Sequence, residues 1–430
     1  MKAAIYTLGC KVNHYESQVI AEALAASGYT LVEPTEQADV YIVNSCTVTS
    51  ESDRKNRQIV RRLRRLNPDS VVLLTGCMPQ AYPEDAAALK EADIILGNRN
   101  NADIPAILEQ YFANPQRRIL TQMHKTGDPF IPCRVHGFYD RTRAEIKIED
   151  GCNRFCAYCA IPYARGRVRS KALADIRTEA NALGEAGYWE IVLVGINLSA
   201  YADGTCNICD AVEAAAGNEN VLRVRLGSLE PDHMTDAVIE RLSTCKKLCP
   251  QFHISLQSGC DKTLRAMNRH YTAEEYRLLC HKLREVFPDC TLTTDIMVGF
   301  PGETETDHRE SLRFALEIGF EKVHVFPYSP RSGTRAADYP EQIVKEVKER
   351  RAAEMLRETE KLRTEFLHRQ IGKTVSVLIE TCHPNGYHEG YTANYTPVRI
   401  IGECPNAGIV SVQITAAEEE YCIGSIKASG

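Results

Sequence analysis

Three cysteines within nine residues limit this chain more than any other feature. Cys152, Cys156 and Cys159 stand in GCNRFCAYC with the spacing C-x3-C-x2-C, directly after the strand-like run 144–148. Structural zinc closes with four protein ligands, usually two pairs joined across a longer loop, whereas a tight trio suits three corners of a [4Fe-4S] cube. The bland alternative is three ordinary thiols on a loop, and the expected intracellular setting argues against it, because there the thiols have no disulfide use.

A cube held by three cysteines leaves one iron without a protein ligand. Such an iron can chelate the amino and carboxylate groups of S-adenosylmethionine (SAM), and one electron can then cleave the sulfonium to give a 5′-deoxyadenosyl radical. The spacing, with Tyr158 just before the last cysteine, resembles the radical-SAM signature.

A length of 430 residues predicts two to four domains with substantial cores. The N-terminus, MKAAIYTLGCKVNHYES, lacks a basic segment followed by an apolar one, and no run of eighteen apolar residues occurs. The expectation is a cytoplasmic protein with no membrane partner, whose seventeen cysteines are mostly reduced. A net charge of −6 gives no global case for nucleic acid, so local basic runs must make it.

Up to about residue 110, apolar β runs (3–8, 40–43, 71–74 and 94–96) alternate with helical patterns near 16–27, 52–66 and 84–91, which predicts an open parallel α/β sheet. Cys10, Cys46 and Cys77 each follow one of the first three runs. Ligands of open α/β sheets sit at the carboxyl ends of strands, so these cysteines would converge into a second three-thiolate site. Sparse buried cysteines acting as small hydrophobes are the alternative. The helix after Cys46 carries Ile59, Leu63 and Leu66 as its expected buried stripe, with Arg54, Lys55, Arg57, Arg61, Arg62, Arg64 and Arg65 outside it. A solvated face is the commoner use of a charge run. This one is nearly single-signed, and like charges at i,i+4 repel, which favours phosphate contact through residues such as Arg61, Arg62 and Arg65.

Residues 113–143 lack pattern and read as a linker. From 144 to about 340, strand and helix alternate again, with β runs at 144–148, 190–194, 222–226, 252–256, 292–298 and 322–326. Six β/α units predict a partial (β/α)6 barrel rather than a closed eightfold one. Polar motifs cluster at the carboxyl ends of its strands: Gly195–Asn197, Ser228–Pro231, Ser255–Gly259, Asp295 with Gly299–Glu303, and Tyr328–Arg331. Each could be plain turn chemistry. As a set beside the cysteine trio they suit a cofactor and substrate cleft, with Ser255 and Gln257 fitted to a ribose. Residues 341–370 form a long charged helical pattern ending before Gly372, and short β runs from 374 onward predict a small β-barrel, with or without a nucleic-acid ligand. Cys206/Cys209 and Cys245/Cys249 are spaced like zinc knuckles but lack glycine-rich context and read as incidental thiols.

The ordered motifs TLGCKVN, NSCTVT and TGCMPQ, then GCNRFCAYC with IPYARGRVRS, then HISLQSG, DIMVGFPGETE and VFPYSPRSGT, resemble the methylthiotransferases of the radical-SAM superfamily over almost the whole chain. The resemblance implies an N-terminal methylthiotransferase domain (1–112) with an auxiliary [4Fe-4S] cluster on Cys10, Cys46 and Cys77, and a radical-SAM core (144–340) with a catalytic cluster on Cys152, Cys156 and Cys159. A connecting helix (341–370) and an RNA-binding TRAM β-barrel (371–430) would follow, with EGYTANYTPV (389–398) as the TRAM core motif. Implied cofactors are two [4Fe-4S] clusters and SAM. Implied partners are a tRNA anticodon stem-loop, a reductant such as flavodoxin or ferredoxin, and a sulfur donor. In that setting Gln257 and Ser255 are expected near the SAM ribose, and Glu190, Gly195 and Asn197 near its methionyl end. Tyr158 is expected in the same site, with Asp295 and Glu303 lining the cleft.

Within that family, TLGCKVN with YARGRVRSK looks like the branch that puts a methylthio group on threonylcarbamoyladenosine next to the anticodon. The isopentenyladenosine branch tends to carry GCQMN, and the branch acting on a ribosomal-protein aspartate GCPKN. Met78, where an aromatic is common, and Cys206 with Cys209 depart from the branch pattern without touching ligands. A different class, a non-catalytic iron–sulfur RNA-binding sensor, would lack SAM turnover.

Overall fold

The computed structural model describes residues 1–99, 101–138, 142–383, 386–405 and 407–427. Residues 139–141 of the predicted linker and 428–430 of the last module lie outside it. The N-terminal module is a parallel sheet of β1 (Lys2–Thr7), β2 (Thr30–Val32), β3 (Val40–Ser45), β4 (Val71–Gly76), β5 (Ile94–Leu96) and β6 (Arg118–Leu120), in the order β2-β1-β3-β4-β5-β6. Its strand residues alternate between two apolar cores, one on each face, which is why the strands read as continuous apolar runs. The order reverses between β1 and β3, and an open α/β sheet of this kind places its ligand crevice beyond the strand ends at that reversal. Helices α1 (Lys11–Ala26), α2 (Ser50–Leu66) and α3 (Cys77–Ala81) leave β1, β3 and β4 there.

Two departures from expectation have simple causes. β6 falls inside the stretch read as a linker, and α1 begins five residues before the predicted start of that helix; a three-residue edge strand and a helix opening with Lys11, Asn13 and His14 carry little hydrophobic pattern. The rest of the predicted linker is ordered by side-chain bonds: Tyr15 Oη donates to Cys133 O, and the carboxylates of Glu179 and Glu22 accept the Val135 and His136 N–H groups.

The second module is built on β7 (Arg143–Lys147), a short antiparallel pair β8 (Glu149–Asp150) and β9 (Arg169–Ser170), β10 (Glu190–Val194), β11 (Arg223–Leu226), β12 (Ser228–Leu229), β13 (Gln251–Ile254), β14 (Thr291–Val298) and β15 (Lys322–Pro327). β11-β10-β7 and β12-β13-β14-β15 run parallel as two sheets, with β11 and β12 nearly continuous, which makes six barrel positions. Among the described residues no ladder joins β7 to β15, so the barrel is open along one seam, where Phe326 is 44% exposed. Alternate strand residues such as Ile146, Leu193 and Ile254 pack outward under the helices.

Helix Lys345–His368 runs from the barrel to a closed five-stranded barrel of β16 (Thr374–Cys382), β17 (Tyr387–Thr392), β18 (Pro397–Ile401), β19 (Ile409–Ala417) and β20 (Cys422–Ile426). Phe366 and Leu367, at the end of that helix, are buried in the small barrel's core and fix the two together. Among the described residues, no helix is long and apolar enough to cross a membrane.

Candidate functional site

The N-terminal cysteines meet at the sheet's reversal point. Cys10 caps α1, Cys46 follows β3 and Cys77 opens α3. Gly9, at φ +111°, lies so close to Cys46 that a Cβ on it would stand 2.8 Å from Cys46 Cβ, so only glycine lets the first loop approach the second. Burial pushes the Cys77 thiol up to about 12, and the nearby Cys46 and Cys10 thiols raise it further, against the Arg165 charge.

Cys152, Cys156 and Cys159 occupy the loop after β8. Gly151, at φ +91°, presses against the 166–167 backbone, where a Cβ would sit 2.1 Å from Arg167 O. N–H groups are aimed at the sulfurs: Arg154 N lies 3.4 Å from Cys152 Sγ, Asn197 Nδ2 4.0 Å from the same atom, and Arg269 Nη1 3.4 Å from Cys156 Sγ. Burial pushes the Cys152 thiol up to about 12 and raises Cys159 as well. Without a metal these groups would be neutral thiols, which are poor acceptors; bound iron deprotonates them and gives the surrounding donors a charge to meet.

The spacing of the sulfurs bears on which metal fits. Tetrahedral zinc holds its sulfurs about 4 Å apart. Among the described residues, neither cysteine trio has all its sulfurs within 4.8 Å of one another; the one group that compact is Cys260, Asp307 and Glu310, where Lys262 already holds Asp307 at 2.7 Å. A cube, which spreads its cysteines over separate iron corners, suits both trios better than a single ion.

The remaining predicted residues divide by where their strands place them. Asn197 donates its N–H to Glu149 Oε2 at 2.7 Å, and its own Oδ1 is buried without a partner beside Cys152. A Cβ on Gly195 would stand 2.8 Å from Glu149 Oε2. Ser255 O accepts from Arg269 Nη2 and Tyr271 Oη. Gln257 is held at φ +66° by its N–H to Asp295 O and by its carbonyl, which accepts from Met297 N; strain at a non-glycine residue of this kind is typical of ligand sites. Tyr158 packs edge-on to Phe300 behind the cysteine loop. Asp295 lies deeper, 3.4 Å from His253 Nε2 and paired across strands with His324.

Two predicted placements are corrected. Glu190 opens β10, at the opposite end of the strand from the cysteine loop, with Arg225 Nε at 2.7 Å and Arg223 and Arg143 nearby. Glu303 points away from the cleft, accepting from Gly299 N and from Arg351 Nη1 of the connecting helix. On α2 the buried stripe is Ile59, Val60 and Leu63, whereas Leu66 is exposed. Arg61 reaches Glu91, Arg62 lies over Tyr6, and Arg65 donates to Arg61 O, all on the outer face. The EGYTANYTPV segment turns inward: Arg223 and Arg225 donate to the carbonyls of Tyr391, Thr392 and Ala393.

Sequence reasoning gave no role to three residues that frame the site, Glu149, Arg269 and Arg165, and placed a fourth, Arg331, only as the end of a polar motif. Burial pushes the Glu149 carboxyl up to about 8, and its Oε2 fixes the 195–197 turn by accepting the Asn197 N–H. Arg269 joins Glu230 to Cys156. Arg331, from the last barrel loop, donates to Thr47 Oγ1 and Asp53 beside Cys46. Arg165, from the short helix after Cys159, donates to Cys77 Sγ at 3.3 Å. The N-terminal trio is therefore braced from the barrel side. Arginines inside short motifs give no periodic signal; only buried carboxylates at matching positions could have marked them.

Residues 2–97 match the model described as "Uncharacterized protein family UPF0004" and residues 146–315 the Radical SAM superfamily. The threonylcarbamoyladenosine tRNA methylthiotransferase MtaB of Bacillus subtilis (strain 168) is 37% identical over 426 residues, 97% of this chain and 94% of that protein. Its namesake from Thermotoga maritima is 36% identical over 97% of this chain and 95% of its own length. A tRNA-2-methylthio-N(6)-dimethylallyladenosine synthase of Clostridium botulinum (strain Loch Maree / Type A3) is 33% identical over 96% and 94%. Among solved structures, the radical S-adenosylmethionine methyltransferase TsrM from Kitasatospora setae shares the fold at a TM-score of 0.57 and 14% identity, covering 78% of this chain and 77% of its own. Near-complete relatives at this identity, together with the two matched domains in the order of the two cysteine trios, place the chain in the methylthiotransferase family of the radical-SAM superfamily.

Proposed function

We propose that the protein installs a 2-methylthio group on threonylcarbamoyladenosine next to the anticodon of tRNA. One observation carries this reading: Arg165, six residues after Cys159 of the barrel trio, reaches across the module boundary to Cys77 of the N-terminal trio. Relatives named as threonylcarbamoyladenosine tRNA methylthiotransferases, at up to 37% identity over nearly the whole chain, support that substrate.

When bound, a [4Fe-4S] cluster on Cys152, Cys156 and Cys159 supplies one-electron cleavage of SAM, and a second on Cys10, Cys46 and Cys77 supplies an iron from which sulfur is delivered. The chain's own residues do the rest. Asn197, held by Glu149, reaches Cys152 Sγ through Nδ2, and Ser255 and Gln257 follow the carboxyl end of β13. Tyr158 and Phe300 close the site against water from behind. The open seam between β7 and β15 is the entry for the base, with Phe326 at its lip and His253, Asp295 and His324 below. A cytoplasmic enzyme of this kind needs a one-electron reductant such as flavodoxin or ferredoxin, and a sulfur donor.

Mass spectrometry of nucleosides from bulk tRNA, taken with and without the gene, tests the assignment. The methylthio-threonylcarbamoyladenosine peak should vanish on deletion and its unthiolated parent accumulate. A change confined to the isopentenyl series would move the substrate to the other branch.

On the RNA side, Arg61, Arg62 and Arg65 form an outward cationic face on α2. Replacing all three by alanine should weaken tRNA binding and lower the slope of log K against log salt by about 1 for each lost phosphate contact. An unchanged slope would return this helix to a solvated face, with Arg61 merely tied to Glu91.

A further inference from the structure

Arg165 is fully buried, and all three of its nitrogens have partners. Nη1 and Nη2 pair with both oxygens of Glu16, at 2.5 and 3.0 Å, and Nη2 also donates to Asn13 Oδ1 at 2.9 Å. Asp150, two residues before Cys152, stands 3.5 Å from Nη1. Nε is left for Cys77 Sγ alone, at 3.3 Å. A buried guanidinium is costly and persists only when paired, and Glu16 already provides the pair. The remaining donor is aimed at sulfur, a weak acceptor as a thiol and a strong one as a thiolate.

The other trio offers a contrast within the same molecule. Arg269 also pairs with a glutamate, Glu230, and also reaches a cysteine, Cys156. Its sulfur-facing Nη1 is shared with Glu230 Oε1 at 3.2 Å, whereas Nε of Arg165 has no second acceptor among the described residues. Hydrogen bonds and positive charge at ligating sulfurs favour the reduced state of an iron–sulfur centre. The undivided bond therefore falls on the N-terminal site.

We propose that Arg165 is a positioning residue which, through its N–H bond to Cys77, raises the reduction potential of the centre held by Cys10, Cys46 and Cys77, while Glu16 offsets that effect. The inference rests on the reading of this trio as an iron–sulfur site. Because Arg165 belongs to the barrel and Cys77 to the N-terminal sheet, the potential is set only when the two modules are docked.

The test uses the full chain carrying Cys152→Ala, Cys156→Ala and Cys159→Ala, reconstituted with iron and sulfide, so that one centre is titrated by potentiometry with electron paramagnetic resonance. Arg165→Gln should disfavour reduction by tenfold or more, a shift of about 59 mV to more negative potential for one electron. Glu16→Gln should shift it the opposite way, and Arg165→Lys should fall between Arg165→Gln and the parent. If Arg165→Gln does not fold with Glu16 left to Lys147 alone, the Glu16→Gln/Arg165→Gln double variant, neutral at both positions, should still lie below Glu16→Gln alone. A purely structural role predicts no such opposition of sign, so shifts in one direction, or none, overturn the inference. A chain that takes up no cluster overturns the underlying reading and the inference with it.

Discussion

Cys156→Ala is expected to release no 5′-deoxyadenosine from SAM and to form no methylthio product, whereas Cys46→Ala should still cleave SAM and yet form no product. The two trios lie on different modules, one beyond the N-terminal sheet and one in the loop after β8, and each is braced by its own arginine, Arg165 or Arg269. Sites without shared ligands usually respond to substitution independently, so SAM cleavage by Cys46→Ala should stay within about a factor of two of the parent. Each variant should also fall from about eight iron atoms per chain to about four. Product assays alone cannot separate the variants; 5′-deoxyadenosine and iron measured on the same preparation can. If Cys46→Ala also loses cleavage, the trios do not act as separate centres, and the module boundary joins them more tightly than Arg165 alone would suggest.

The parts of this arrangement that were legible in the sequence are those with a strong local cause. Parallel strands buried on both faces write continuous apolar runs, so β3, β4, β5, β10 and β14 could be placed closely. Cysteines have few uses in a reduced chain, so both trios stood out, and the rule that ligands gather at carboxyl ends of strands brought Cys10, Cys46 and Cys77 together before any coordinates. What stayed hidden was direction and partnership. Glu190 lies in an apolar run next to a polar motif and looked like part of the site, yet as the first residue of its strand it belongs to the far end of the barrel. Arg165 ends a short helix and Arg269 and Arg331 lie in loops, and only the fold brings Cys77, Cys156 and Asp53 within their reach. The EGYTANYTPV motif shows the same limit: its resemblance to the TRAM core motif implied an RNA surface, and part of its backbone turns onto Arg223 and Arg225.

That displaced glutamate leads to the second large effect. Glu190 is 1% exposed and faces three arginines: Arg225, equally buried, which grips it through Nε and Nη2, and Arg223 and Arg143 at longer range. The charges of Arg225 and Arg143 continue onto Tyr395, whose ring lies 4.7 and 5.0 Å from them and stacks on Tyr391 at 4.5 Å. Glu190→Ala removes the carboxylate that Arg225 grips and leaves Arg225 buried beside Arg223 and Arg143, of which Arg143 keeps Glu380 as a partner. Breaking a buried pair from one side costs about 3–5 kcal/mol, because the surviving charge is stranded. The loss should appear where the arginines hold the C-terminal barrel. Amide exchange in 391–396 should rise sharply, and the urea midpoint of the chain should fall. Glu190→Gln, which keeps two polar atoms near Arg225, should cost less, and Glu190→Ala combined with Arg225→Met less than Glu190→Ala alone. SAM cleavage should survive in each variant that folds, since the residue lies at the far end of β10 from Cys152. Loss of cleavage with unchanged exchange in 391–396 would put Glu190 back in the SAM site and break the link drawn here between the bottom of the barrel and the C-terminal module.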